Sequence, residues 1–298
     1  MAASCKKDDE TTTKSSLSGI SLKGGSSYIA KGTTVDFQID LSSLTTSGDN
    51  MPDSVGVYWQ VNSSAKKDTL STNINRKPVS GFSYTADTLG RYTVYCYAFA
   101  SENSQYPATA SSTFVAIDPT NTVTGLSGEH TIGQKYLQIT SGGLKWTAEN
   151  IYETPAGIAY MDCEVMNSVF GRYYTYDEAL TACPEGWRLP TQAEWDALDE
   201  DTGKLMAQAY FLGERMWPHC KEVAITNQTG FNAIPAGYID KTHLYLSISG
   251  LNEYAAFWTS EAKDASLAHY RYIFGTNPKM QKGEGSRTSL ALSVICVK

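Results

Sequence analysis

The chain has 298 residues, 41% hydrophobic and only 18% charged, with a formal net charge of −7. That length suits two domains rather than one, and an acidic chain with no basic stripe has nothing to neutralise phosphates, which excludes nucleic acid as a partner. No apolar run reaches the ~20 residues of a membrane helix, and 19 Tyr with few charges suit a β-rich extracellular protein better than a helical cytosolic enzyme.

Residues 1–17 read as a polar tether with nothing to pack. Within it, Cys5 follows Ala2-Ala3-Ser4 and precedes Lys6-Lys7-Asp8-Asp9-Glu10. This resembles the start of a mature bacterial lipoprotein of Bacteroidetes type, in which a charged stretch after the acylated cysteine marks export to the outer surface. The resemblance implies lipid on Cys5, attachment to the outer membrane and a chain facing the medium. No apolar signal segment precedes Cys5, so the chain reads as a mature form or one made for expression. Otherwise Cys5 is an ordinary residue of a polar tail.

Residues 18–117 contain short strands bounded by turn residues: Thr34–Ile39, Val55–Val61, Arg91–Tyr97 and Ser112–Ile117. Each alternates or is rich in β-branched and aromatic residues. Five to seven such strands in about 100 residues predict an all-β sandwich. Trp59 would be its buried central aromatic, and Asp87-Thr88-Leu89-Gly90-Arg91-Tyr92-Thr93-Val94 the entry to a late strand. The stretch is similar to the Ig-like and PKD-like modules of bacterial surface proteins, which mostly act as spacers. No cysteine lies near Phe37 to pair with Cys96, so Cys96 is expected to be a free thiol packed as a small hydrophobe. Residues 118–129, opening Asp118-Pro119-Thr120-Asn121-Thr122, read as a linker.

From residue 130 to 298 the order of signals is strand, two helices, a long irregular region and strands. Five of the six tryptophans lie here. Thr175-Tyr176-Asp177-Glu178 and Thr191-Gln192-Ala193-Glu194 are capping boxes, opening helices through Cys183 and to about Glu200. Trp187, Leu189 and Trp195 read as core, and Arg188 and Glu194 as an ion pair. None of the six cysteines forms a CxxC pair, which excludes a zinc ribbon or a thioredoxin-type site.

Several motifs then appear in a fixed order: Leu144-Lys145-Trp146-Thr147, Gly171-Arg172-Tyr173-Tyr174, Ala182-Cys183-Pro184-Glu185-Gly186-Trp187-Arg188-Leu189-Pro190-Thr191, Glu194-Trp195, Gly230-Phe231-Asn232-Ala233-Ile234-Pro235-Ala236-Gly237-Tyr238, Phe257-Trp258-Thr259-Ser260 and Ser293-Val294-Ile295-Cys296. Together they resemble the Fibrobacter succinogenes major paralogous domain, common in surface lipoproteins of gut Bacteroidetes. Its core is also similar to formylglycine-generating and C-type-lectin-like folds, which implies an α+β C-type-lectin-like module. The family usually has arginine where this chain has Ile295. The resemblance also suggests a Cys183–Cys296 disulfide, with Leu290, Leu292, Val294 and Cys296 alternating onto one inward face. Cys163 and Cys220 are then left as a second pair by elimination.

A lectin-like fold implies carbohydrate binding through variable loops. Aromatic rings can stack on sugar C–H faces while Asn, Asp and Glu take the hydroxyls. The candidate ligand-binding residues are Trp217, Tyr238, Tyr245, Asn252 and Tyr254, with Asp240 and Glu253 as further polar partners. Trp258 reads as core; Trp217, beside Pro218, reads equally as exposed or buried. No cofactor is expected; calcium, as in many lectins, would need a carboxylate cluster such as Asp199-Glu200-Asp201, which reads better as a solvated helix end. The histidines form no HExxH, no GxSxG is present, and the adjacent His219 and Cys220 would point oppositely on extended chain. The expectation is therefore a non-catalytic glycan-binding surface lipoprotein, with adhesion or a pilus-associated role through protein partners as the alternative.

Overall fold

The computed structural model describes residues 17–46, 56–63, 67–68, 72–73, 81–99, 107–120, 122–128, 134–198, 201–243 and 248–298. They fall into two compact units divided between Ile117 and Asp118. Cys5, Tyr245, Asp199 and Glu200 lie outside the described residues.

The first unit is two β-sheets around one core. The larger sheet runs in the order Tyr28–Ala30, Ala108–Ile117, Gly90–Phe99, Gly56–Ser63, Lys67–Asp68, with Thr72–Asn73 also on Gly56–Ser63. The smaller sheet pairs Ser21–Lys23, Thr34–Asp40 and Gly81–Thr85. Alternation fixes which side chains meet: Val35 and Phe37 from the small sheet pack with Trp59, Val61, Val94 and Cys96 from the large one. Trp59 stacks on Phe82 at 5.1 Å between ring centroids, and Tyr92 on Phe114 at 5.0 Å. The Tyr92 hydroxyl donates to the Thr88 carbonyl at 2.7 Å, which pins the turn before its strand. Cys96 is a free, fully buried thiol, and burial pushes it up to about 12.

In the second unit the expected linker is a fastened segment. Val123–Thr124 pairs with Tyr210–Phe211, and Ser127 and Asn232 exchange two hydrogen bonds, at 2.8 and 2.9 Å. A five-stranded sheet runs in the order Ile158–Ala159, Arg172–Thr175, Leu290–Leu292, Tyr238–Asp240, Ile248–Ser249. A meander of Tyr254–Ala262, Leu267–Phe274 and Gln281–Ser286 forms a separate three-stranded sheet.

Both capping boxes form, but the helices are shorter than expected, Tyr176–Ala179 and Gln192–Asp196. After Ala179 the backbone tightens into i→i+3 bonds, Thr181 N to Glu178 O and Ala182 N to Ala179 O, both 3.2 Å, ahead of Pro184. Trp195 and Leu189 are buried and Trp187 half-buried. Arg188 grips Glu194 with two hydrogen bonds of 2.8 and 2.6 Å.

Cys183 and Cys296 are disulfide-bonded across 113 residues of sequence. The stretch that follows the strand Leu290–Leu292 and carries Cys296 is buried on both faces rather than one. Leu292, Val294 and Cys296 join one core cluster, and Ile295 and Val297 another. Ile295 thus occupies a dry position inside an apolar cluster. Cys163 and Cys220 do not pair. The Cys163 thiol is buried and donates to the Met161 carbonyl, while that of Cys220 donates to the Glu222 carboxylate at 2.9 Å.

Candidate functional site

The meander places alternate side chains on opposite faces. Along Leu267–Phe274, Arg271 and Ile273 point into the unit, where Arg271 is 1% exposed and bonded to Asp196 and Gln192. Tyr270, Tyr272 and Phe274 share the other face and stay half-buried. Register sets their neighbours: Phe274 lies opposite Tyr254, Tyr272 opposite Ala256 and Gln281, and Tyr270 opposite Trp258 and Gly283. The small partners leave room for the rings. A Cβ on Gly283 would stand 2.2 Å from the Tyr270 ring, and one on Gly250, at φ +65°, 2.4 Å from the Tyr254 ring.

The result is a continuous aromatic cluster. Tyr254 stacks on Phe274 at 4.7 Å and approaches Tyr272 at 5.9 Å and Tyr238 at 6.2 Å, the last edge-on. Tyr270 lies 5.8 Å from Tyr272. Burial raises the phenol pKa of Tyr254 and Tyr270, reinforced by the neighbouring phenols, so both remain protonated at neutral pH. Such a surface offers flat π-faces for C–H groups and hydroxyls that both donate and accept.

Of the residues expected to bind ligand, Tyr238 and Tyr254 come together here. Asn252 is exposed in the turn leading into Tyr254; its φ of +64° and its N–H bond to Pro235 O at 3.0 Å give asparagine a backbone role. Trp217 is corrected to core. It is 1% exposed, and its indole N–H donates to Ala233 O at 2.9 Å, because Pro218 and Gly275 close over the ring. Trp258 is fully buried, donating to Tyr174 O at 2.8 Å. Tyr270, Tyr272 and Phe274 went unnoticed, though the every-second-residue aromatics of Tyr270-Arg271-Tyr272-Ile273-Phe274 mark a strand face. Asp240 is half-buried and turns back to accept from Thr242, which lowers its pKa.

Among the described residues no group of three or more His, Cys, Asp or Glu could hold a metal ion. Asp201 caps the short helix Thr202–Leu205 by accepting from Gly203 N at 3.0 Å. A separate cleft of about 370 Å³, lined in part by Val123, Leu137, Asn150 and Ile234, contains none of the expected ligand residues.

These features define a β-rich protein whose second unit is closed by a disulfide and presents a half-buried tyrosine face. The chain belongs to the family of the Fibrobacter succinogenes major domain, whose sequence model matches residues 133–298. No curated protein matches it in sequence. Among solved structures it is similar to the CARDB domain of a Pyrococcus furiosus protein crystallised with di-metal ions, at 16% identity over 34% of this chain and 93% of that one, TM-score 0.23. It is similar to the PKD domain of an M14-like peptidase from a Thermoplasmatales archaeon, at 15% identity over 34% and 94% of the two chains, TM-score 0.23. The Yersinia pseudotuberculosis adhesin InvE matches at 11% identity over 93% of this chain and 70% of its own, TM-score 0.26. None reaches a TM-score of 0.5, and each leaves the activity and partners of this chain open.

Proposed function

We propose that this chain is a non-catalytic surface lipoprotein, held to a bacterial outer membrane by lipid on Cys5, that captures carbohydrate through its second unit. The first unit is read as an Ig-like or PKD-like sandwich, and the second as a C-type-lectin-like module. One observation carries the reading: the tyrosine cluster of Tyr238, Tyr254, Tyr270 and Tyr272, ordered by register and half open to solvent. Stacking rings supply contact area at low entropic cost, and their hydroxyls supply adaptable polar contacts.

The test is native electrophoresis of residues 18–298 through polysaccharide gels, together with a glycan array, each run with calcium and with chelator. The expected result is a retarded polysaccharide whose retention falls in Tyr254→Ala and Tyr272→Ala while Trp217→Phe keeps it. Loss of retention under chelator would add calcium to the site. Absence of binding across plant, host and microbial glycans would overturn the proposal and turn attention to adhesion or pilus assembly through protein contacts.

A further inference from the structure

The first unit carries a second aromatic face. Gly56–Ser63, Gly90–Phe99 and Ala108–Ile117 are adjacent strands of its larger sheet. Their inward positions, Val57, Trp59, Val61, Tyr92, Val94, Cys96, Ala98 and Phe114, fill the core. The outward positions fall in three cross-strand rows: Tyr58–Tyr97–Thr109, Gln60–Tyr95–Ser111 and Asn62–Thr93–Thr113. In a chain with 18% charged residues, none of these nine is charged. Charge appears at the margin, at Arg91 on the same face, and in backbone register Asn62 is followed on the next strand by Lys67.

The rows are organised by side-chain contacts. Tyr58 and Tyr97 lie 5.6 Å apart between ring centroids, and Tyr95 stacks alongside Tyr97 at 6.2 Å. The Tyr97 hydroxyl donates to Gln60 Oε1 at 3.4 Å, Gln60 Nε2 donates to Asn62 Oδ1 at 3.0 Å, and the Thr93 and Thr113 hydroxyls share a bond of 3.2 Å. All six of Tyr58, Gln60, Asn62, Thr93, Tyr95 and Tyr97 are half-buried rather than freely solvated.

We infer that this face is a binding surface for an uncharged polysaccharide. The match is one of charge and of spacing between apolar and polar groups. A charged polymer laid on these nine positions would lose water without meeting a counter-charge there, which is costly. An uncharged polyol presents C–H faces and hydroxyls side by side, and the sheet presents rings beside amides and hydroxyls already fixed in place. The inference is independent of the proposal for the second unit, and it gives the first unit a role beyond that of a spacer.

The experiment is affinity electrophoresis of the full chain in gels containing hydroxyethylcellulose, xyloglucan, galactomannan or arabinoxylan, with polygalacturonate as the anionic contrast. Tyr95→Ala/Tyr97→Ala is expected to weaken retention by at least one uncharged polysaccharide about tenfold or more, a change of about 1.4 kcal/mol. Tyr95→Phe/Tyr97→Phe should retain most of it, because the ring faces remain. An unchanged circular dichroism spectrum and urea unfolding transition check the fold, and Tyr58→Ala alone stands in if the double variant unfolds. The inference is overturned if no uncharged polysaccharide retards the parent, if polygalacturonate alone does, or if the alanine variants run like the parent. Retention lost only in Tyr254→Ala/Tyr272→Ala would overturn it while sustaining the second unit's site. The reverse pattern would sustain it and sink that site.

Discussion

Gly283 shows how a single missing side chain can set a surface. Its Cα lies opposite Tyr270 across the meander, and any Cβ there would enter the ring. Gly283→Ala is expected to cost about 1–3 kcal/mol through overpacking. In a Tyr270→Ala background the same change should cost much less, because the ring it strikes is gone. Denaturant unfolding of the four proteins in that cycle measures the difference, and additive effects would show that the contact is unimportant. Trp217 is the converse case. With its ring buried and its N–H bonded to Ala233 O, Trp217→Ala should lower stability by about 3–5 kcal/mol. Trp217→Phe in the folded protein should leave carbohydrate retention untouched. A folded Trp217→Phe that has lost retention would contradict the assignment of Trp217 to the core.

Short elements in the second unit are held by polar devices at their ends. In the helix Gln192–Asp196, Glu194 accepts from the Thr191 N–H at 2.8 Å and from both Arg188 amino groups, and these bonds hold its carboxyl down at about 2. An unfolded glutamate titrates near 4.3. The stabilisation is therefore complete above that range and is lost as pH falls from about 4.3 towards 2. Arg188 is 54% exposed, so solvent screening keeps the contribution to about 1 kcal/mol. Urea unfolding across that pH window should show a shallower acid loss in Glu194→Gln than in the parent; equal slopes would refute the assignment. The capping boxes and the alternating strands of residues 18–117 were legible because each rests on local spacing: Thr and Glu three apart, or apolar residues two apart. Helix length was not legible, since the i→i+3 tightening after Ala179 depends on where the rest of the unit needs the chain. Half of the tyrosine cluster was missed for the same reason. Tyr238 stood out beside a motif, but only strand register brings Tyr270 and Tyr272 to it.

At the scale of the molecule, both units hold a free, buried thiol, Cys96 in the first and Cys163 in the second, but the Cys183–Cys296 bond cross-links the second. Cys183→Ser/Cys296→Ser should destabilise the second unit by about 4 kcal/mol, since the bond closes a loop of 113 residues. The first unit should be unaffected. Of the six tryptophans only Trp59 lies in the first unit, so a Trp59→Phe variant reports the second unit's unfolding alone. If reductant leaves its midpoint unchanged, the bond contributes nothing.

The doubly buried stretch from Ala291 to Val297, which continues the strand Leu290–Leu292, also has a meaning in time. It takes the Thr147 and Ile151 N–H groups on Cys296 O and Val294 O, pairs with Tyr174 through Leu292, and bridges Arg188 and Phe257. Every one of those partners is made earlier in synthesis, some by about a hundred residues or more. Long-range closure of this kind is slow. As the chain emerges, the second unit must therefore remain open, its tryptophans unshielded, until residues 290–297 arrive. A chain cut at Ser289 should be rapidly proteolysed from residue 134 onward while the first unit survives. That order of events makes the last eight residues before Lys298 the step that completes the unit's core.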